Sequence, residues 1–152
     1  MPAEVGDKAP GFTLPTGDWE NRVSLDDHTK RGPVALFFYA GDWFSTRTHQ
    51  MEKLRAEIGR FEKRNASVLA ISAASPWSHR AFAEEQGIRF QLLADFQRET
   101  IEDYGVKHER GLPERAYFII DREGTIRAKR VEPSTKDHPK VDAILADLDG
   151  AL

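Results

Sequence analysis

The segment VALFFYAGDWFSTRTHQMEKLR, residues 34–55, decides the fold of this chain. Its first part, Val34 to Tyr39, is a continuous apolar run after Gly32-Pro33, which is typical of a β-strand buried on both faces. A short loop follows, and then an amphipathic helix is predicted from about Ser45 to Lys63. The apolar residues of that helix recur at spacings of three and four, at Met51, Leu54, Ile58 and Phe61.

The composition limits the number of domains, the partners and the cellular location that we expect for this chain. The 152 residues suit one domain, predicted to span residues 1–152, with 39% hydrophobic and 31% charged residues. The formal net charge of −3 gives no basic footprint for nucleic acid or an anionic membrane. The longest apolar runs are far shorter than the roughly 20 residues that cross a bilayer, and no secretory signal is visible. We therefore expect a cytoplasmic protein with no nucleic-acid or membrane partner.

The remaining elements alternate between strands and helices. Such an order predicts parallel crossovers, and a final hairpin around Arg122-Glu123-Gly124-Thr125 adds antiparallel strands. We expect an α/β protein with a thioredoxin-like fold, in which helices flank a central mixed β-sheet and an N-terminal β-hairpin extends it. The predicted strands are Phe12–Leu14, Val23–Leu25, Val34–Tyr39, Ser67–Ala73, Phe90–Leu93, Ala116–Asp121 and Ile126–Val131; further helices follow Ser75-Pro76, Asp95 and Pro139.

Four segments in order resemble the peroxiredoxin family, of the alkyl hydroperoxide reductase and thiol-specific antioxidant type. They are VGDKAPGFTLP (5–15), VALFFYA (34–40), ISAASPWSHRAFAEEQGIRFQLLAD (71–95) and RAYFIIDREGTIR (115–127). The resemblance covers nearly the whole chain, and the short C-terminus is more like the bacterioferritin-comigratory or one-cysteine types. The resemblance implies a thioredoxin-like fold and an antioxidant oxidoreductase activity.

The site that the resemblance implies is altered at three positions. The family writes it Pro-x-x-x-Thr/Ser-x-x-Cys, and here the proline falls on Ala40, the hydroxyl residue on Phe44 and the peroxidatic cysteine on Arg47. The family's active-site arginine falls on Arg115 and is retained. Peroxide reduction needs a thiolate nucleophile, and the chain has no cysteine at all. We therefore predict a vestigial pocket with no catalytic residue and no thiol peroxidase activity.

Arg47 and Arg115 are candidate anion-binding residues. Two guanidinium groups beside a helix N-terminus would suit a carboxylate or phosphate ligand. The alternative interpretation, which we favour slightly, is that Arg47 turns to solvent or pairs with Asp42 or Glu114 and that Arg115 is structural.

Trp43, Phe44 and Trp77 are candidate interface residues, because the resemblance places them in loops around the site. Exposed aromatic side chains there would suit a homodimer, or pairing with a related, active peroxiredoxin. The alternative is that they fill space that the pocket has vacated; we favour filling for Phe44 and weigh both equally for Trp77.

The five histidines show no metal-ligand spacing, so we expect no metal and no cofactor, and we interpret the histidines as surface or capping residues. The sequence favours a catalytically silent peroxiredoxin-like protein that works by binding a partner, itself or an anion. An antioxidant oxidoreductase with altered, non-thiol chemistry is the alternative.

Overall fold

The computed structural model describes residues 3–39, 53–107, 115–132 and 141–151. Seven strands and five helices are bounded within them, and residues 53–56 are also helical, joined to α2 by a turn at Glu57. The elements are β1 (Thr13–Pro15), β2 (Arg22–Ser24), α1 (Leu25–Thr29), β3 (Val34–Phe38), α2 (Ile58–Glu62), β4 (Ser67–Ser72), α3 (Pro76–Gln86), β5 (Gln91–Ala94), α4 (Glu99–Asp103), β6 (Arg115–Ile120), β7 (Ile126–Glu132) and α5 (Val141–Asp149).

The five longer strands form one mixed sheet in the order β5-β4-β3-β6-β7. Strands β3, β4 and β5 are parallel, whereas β6 runs antiparallel to both β3 and β7. The short strands β1 and β2 pair separately as an antiparallel hairpin. The predicted thioredoxin-like fold, with its mixed sheet and N-terminal hairpin, is therefore confirmed.

The central strand β3 is buried on both faces, as its unbroken apolar sequence predicts. Because side chains alternate along a strand, Val34, Leu36 and Phe38 enter one hydrophobic cluster. Ala35, Phe37 and Tyr39 enter the other, together with residues of α2, α3 and α5. The sheet thus divides the core into two layers.

Three helices end in the same hydrogen-bond pattern. After α3, Gly87 adopts a left-handed conformation with φ of 66°, and Ile88 N donates to Ala83 O. After α4, Gly105 has φ of 71°, and Val106 N donates to Ile101 O. These are the helix ends that the sequence predicts from glycine. After α2 an asparagine, Asn65 with φ of 55°, takes the same role.

Two elements differ from the sequence expectation. Helix α1 follows β2 directly and was not predicted; Ser24 begins it by accepting a hydrogen bond from Asp27 N. Helix α4 begins at Glu99 and not at the predicted cap, Asp95. The Asp95 carboxylate nevertheless caps it from a distance, because its Oδ2 accepts a 2.7 Å bond from Ile101 N. The first part of the predicted helix from Ser45 lies outside the described residues.

Candidate functional site

The carboxyl ends of the parallel strands β3, β4 and β5 meet at one edge of the sheet, where β6 begins. The register pairs Phe38 with Ala116, so one step further along the same ladder Tyr39 stands opposite Arg115. Directly opposite residues share a face, which places both side chains on the face covered by α2 and α3. The strand order thus brings Arg115 beside the chain that leads to the altered motif.

Arg115 is buried, with 4% of its surface exposed. A guanidinium keeps its charge at any ordinary pH, so burial at this edge sets a fixed positive charge beside Tyr39. The other residues predicted for the pocket, Ala40, Phe44 and Arg47, lie outside the described residues, as does Trp43. The structure therefore locates Arg115 and leaves its predicted pairing with Arg47 a prediction.

A buried histidine forms the centre of this edge. His79 is only 1% exposed, so its interpretation as a surface or capping residue is wrong. Its Nδ1 lies 3.1 Å from the Tyr39 hydroxyl, and its Nε2 lies 3.1 Å from Leu93 O and 3.2 Å from the Ser72 hydroxyl. One imidazole therefore joins helix α3 to the ends of three strands. The spacing of three between His79 and the buried Phe82 is the sequence signal that could have revealed it.

The partners of His79 assign its tautomer. Leu93 O can only accept, so Nε2 carries the proton and donates it. In the neutral ring Nδ1 is then the acceptor, and Tyr39 donates its hydroxyl proton to it. The Ser72 hydroxyl also accepts from Ala74 N at 3.2 Å, which holds the chain after β4 against the network.

The neighbouring strand end carries a second buried titratable group, Asp95. Its backbone N–H donates to Ser72 O, which links it to the same edge. Burial raises the pKa of the Asp95 carboxyl above its ordinary value, although hydrogen bonds from the N–H groups of Ile101 and Thr100 act in the opposite direction. This carboxyl is committed to the start of α4 and is not a free acid or base.

The variant His79→Phe tests whether the imidazole holds this edge together. We expect it to lower the free energy of unfolding by about 1–3 kcal/mol, because buried acceptors and the Tyr39 hydroxyl lose their partner. Urea unfolding measures the loss. Tyr39→Phe should lower the free energy of unfolding less in the His79→Phe variant than in the wild type. The difference, which is the coupling energy of the pair, should be at least about 0.5 kcal/mol. Arg80→Ala, on the exposed side of α3, is the control and should change stability by under about 1 kcal/mol. If the double variant lost as much unfolding free energy as the two single variants added together, the Tyr39–His79 bond would contribute nothing to stability.

An exposed aromatic cluster lies at the start of α3. Trp77 is 60% exposed, and its ring meets the ring of Trp19 edge-on with centroids 5.9 Å apart. Trp19 meets Phe96 in the same way at 5.7 Å. Trp19 and Phe96 are themselves 38% and 53% exposed. Of the three predicted interface residues the structure describes only Trp77. The two aromatic residues beside it were not singled out from the sequence, since they come from separate loops.

Within the described ranges, no three histidine, aspartate or glutamate side chains are grouped so that they could hold a metal ion. In the same ranges no helix has the length and apolar character needed to cross a bilayer.

Comparison with known proteins decides the family. The model of the AhpC/TSA family matches residues 5–129, which is most of the chain. The chain belongs to the AhpC/TSA family. A putative peroxiredoxin bcp of Coxiella burnetii is 38% identical over 160 aligned residues, covering 100% of both chains. A chloroplastic peroxiredoxin Q of Suaeda salsa is 34% identical over 124 residues, covering 80% of this chain and 57% of the relative.

Solved structures of peroxiredoxins have the same fold. The peroxidoxin BcpB of Mycobacterium tuberculosis superposes with a TM-score of 0.86 at 27% identity, covering 97% of each chain. The reduced 2-Cys peroxiredoxin of Plasmodium vivax gives the same score and identity, covering 96% of this chain and 94% of the other. The resemblance to the peroxiredoxin family is therefore confirmed, and this member of it contains no cysteine.

Proposed function

We propose that this AhpC/TSA member is not a thiol peroxidase and that it works by binding. One observation supports the proposal above all others: the family model matches residues 5–129, and the chain contains no cysteine. A hydroperoxide is reduced by a thiolate that attacks the O–O bond and becomes a sulfenic acid. Serine, threonine and arginine side chains have no equivalent oxidation step, so the surrounding site has nothing to activate.

The first assay measures peroxide loss directly. Purified protein with hydrogen peroxide or an alkyl hydroperoxide, and with thioredoxin or dithiothreitol as reductant, should consume peroxide at the rate of buffer alone. A cysteine-bearing peroxiredoxin in the same assay is the positive control. Turnover above the buffer rate that persists after repurification would overturn the proposal and favour the alternative, an antioxidant oxidoreductase with non-thiol chemistry.

The first candidate ligand is a small anion at the sheet edge. Support comes from Arg115, whose buried guanidinium stands beside Tyr39 at the point where the altered motif begins. The alignment with the family motif adds Arg47 nearby. Two guanidiniums suit a carboxylate or phosphate, which they bind through paired N–H donors.

Calorimetry with inorganic phosphate and with acetate tests the anion site. We expect weak binding that Arg47→Ala weakens at least about tenfold, equivalent to about 1.4 kcal/mol. Arg80→Ala removes one exposed charge of the same kind from α3 and should leave the affinity unchanged. Equal affinities of the wild type and Arg47→Ala would exclude Arg47, and no binding at all would exclude the site.

A protein partner is the second candidate, favoured by the exposed cluster of Trp19, Trp77 and Phe96. Exposed tryptophan and phenylalanine are common at the centres of interfaces. A homodimer, or pairing with an active peroxiredoxin in the cytoplasm of the same cell, would cover these rings. Sedimentation at high concentration, with and without such a relative, should show association that Trp77→Ser weakens; a monomer in both experiments would remove this candidate.

A further inference from the structure

The three tyrosines of the chain are all buried, and each donates its hydroxyl proton to a different kind of acceptor. Tyr104 donates to the peptide carbonyl of Pro10 at 2.7 Å. Tyr117 donates to the carboxylate of Asp147. Tyr39 donates to an imidazole nitrogen of His79 at 3.1 Å. The three phenols therefore differ in whether the partner can take the proton.

The imidazole is the best proton acceptor of the three partners. A peptide carbonyl has no useful basicity, and a carboxylate gains a proton only near pH 4, whereas imidazole does so near pH 6.5. Burial raises the pKa of Tyr104, and burial followed by the bond to Asp147 raises the pKa of Tyr117, so neither phenol gives up its proton readily. Of the three phenols, Tyr39 is the one with an imidazole nitrogen within proton-transfer distance.

The network holds His79 ready for that proton. Its Nδ1 lies within the 2.6–3.2 Å range from which a base can take a proton without moving. Its Nε2–H is held by Leu93 O and the Ser72 hydroxyl, which fixes the orientation of the ring and directs Nδ1 towards the Tyr39 hydroxyl. On protonation the ring keeps both bonds, because Nδ1–H then donates back to the Tyr39 oxygen.

We propose that Tyr39 and His79 form a proton-coupled one-electron donor that reduces radicals of the organic peroxyl class. The Tyr39 phenol loses one electron to the peroxyl radical, ROO•, and its O–H proton passes to His79 Nδ1. The products are a neutral phenoxyl radical, an imidazolium and the anion ROO⁻, which takes a proton from water and leaves as ROOH. A thiol or an enediol as one-electron reductant restores the phenol when His79 returns the proton.

Burial suits this role. The Tyr39 ring is fully enclosed, so two phenoxyl radicals on separate molecules cannot meet and couple through their rings. The proton moves only from one side chain to the next, whereas the electron needs no contact with the oxidant. The reaction consumes a peroxyl radical and releases a hydroperoxide, so it goes beyond the proposed binding function and adds nothing to peroxide loss. Failure of this reaction and failure of the proposed function are therefore seen in different assays.

Electron paramagnetic resonance provides the test. The full chain is exposed to peroxyl radicals from a water-soluble azo initiator in air and then frozen. We expect a tyrosyl radical signal that falls at least fivefold in Tyr39→Phe and by less than half in Tyr104→Phe or Tyr117→Phe. Circular dichroism melting confirms that each variant is folded. A signal that persists in Tyr39→Phe, or a signal from tryptophan alone, would overturn the proposal.

A measurement on the wild type does not depend on any variant folding. After exchange into D₂O, electron–nuclear double resonance should detect one strongly coupled deuteron on the phenoxyl oxygen, donated by His79 Nδ1. The same sample should show the lowered g value that a hydrogen-bonded tyrosyl radical gives at high field. A radical without that deuteron would show that the unpaired electron lies on another residue, which would contradict the assignment to Tyr39.

Discussion

The triple variant Ala40→Pro, Phe44→Thr and Arg47→Cys is expected to turn the chain into a thiol-dependent peroxide reductase. These changes restore the family motif at the three positions where the resemblance places it, while Arg115 remains at the sheet edge. The sequence predicts position 47 in the first turn of a helix, and the resemblance places it near Arg115. A cysteine in that setting would have a lowered pKa, because the helix N-terminus and the cation both stabilise the thiolate. Dithiothreitol then supplies the electrons that complete each turnover.

Ionisation sets the scale of one part of the effect, and the lower intrinsic nucleophilicity of a low-pKa thiolate acts against it. An ordinary thiol is about 3% thiolate at pH 7, whereas a thiol with a pKa near 6 is about 90% thiolate, which is a roughly 30-fold difference in the reactive form. Since the wild type has no cysteine, the introduced thiol can be alkylated and titrated without interference. Iodoacetamide labelling against pH gives the thiol pKa, and peroxide loss gives the turnover rate.

Two control variants distinguish the activity that depends on the restored motif from the activity of any exposed thiol. Glu85→Cys places a thiol on the exposed face of α3, away from the edge, and should react as an ordinary thiol. Arg47→Cys alone keeps Ala40 and Phe44 and should fall between that control and the triple variant. If the triple variant consumed peroxide no faster than Glu85→Cys, the alignment that places the lost cysteine at Arg47 would be wrong.

The fold was readable from the sequence because each main element carries a strong local signal. The run from Val34 to Tyr39 has no charged residue, and its short length after Gly32-Pro33 favours a strand covered on both faces. Gly87 and Gly105 end helices for a reason local to the backbone, since glycine adopts positive φ at no cost. Helix α1 escaped prediction because its five residues carry too few turns to show a period.

The candidate site was harder to predict than the fold because its residues are distant in the sequence and come into contact only in the folded chain. The interpretation of His79 as a surface or capping residue is wrong, because its spacing of three from Phe82 indicates only a buried helix face and does not reveal the partners of the imidazole. Its partners come from β3, β4 and β5, and nothing in the sequence states the strand order that assembles them. The resemblance singles out Arg115, which the structure shows to be buried at this edge, whereas Trp19 and Phe96 were not singled out because they come together from distant loops.

The largest expected loss of stability comes from Gly32→Ala. A methyl group built on Gly32 would lie 2.1 Å from the backbone oxygen of Asn65, far inside contact distance. That oxygen belongs to the tight turn between α2 and β4, where Asn65 already holds a positive φ of 55°, so the backbone has little freedom to retreat. We expect a loss of at least about 2 kcal/mol in the free energy of unfolding, as for other overpacked sites.

Gly59→Ala is the matched control, because it adds the same methyl group where nothing lies within 4 Å. Gly59 lies in α2, and alanine there should raise the free energy of unfolding by about 0.5–1 kcal/mol. Both substitutions restrict the unfolded chain equally, so the difference of about 3 kcal/mol reports the folded state alone. In urea the two midpoints should differ by roughly 1–3 M at equal slopes. Coincident midpoints would mean that the close approach of Gly32 to Asn65 relaxes without cost, because the turn at Asn65 yields.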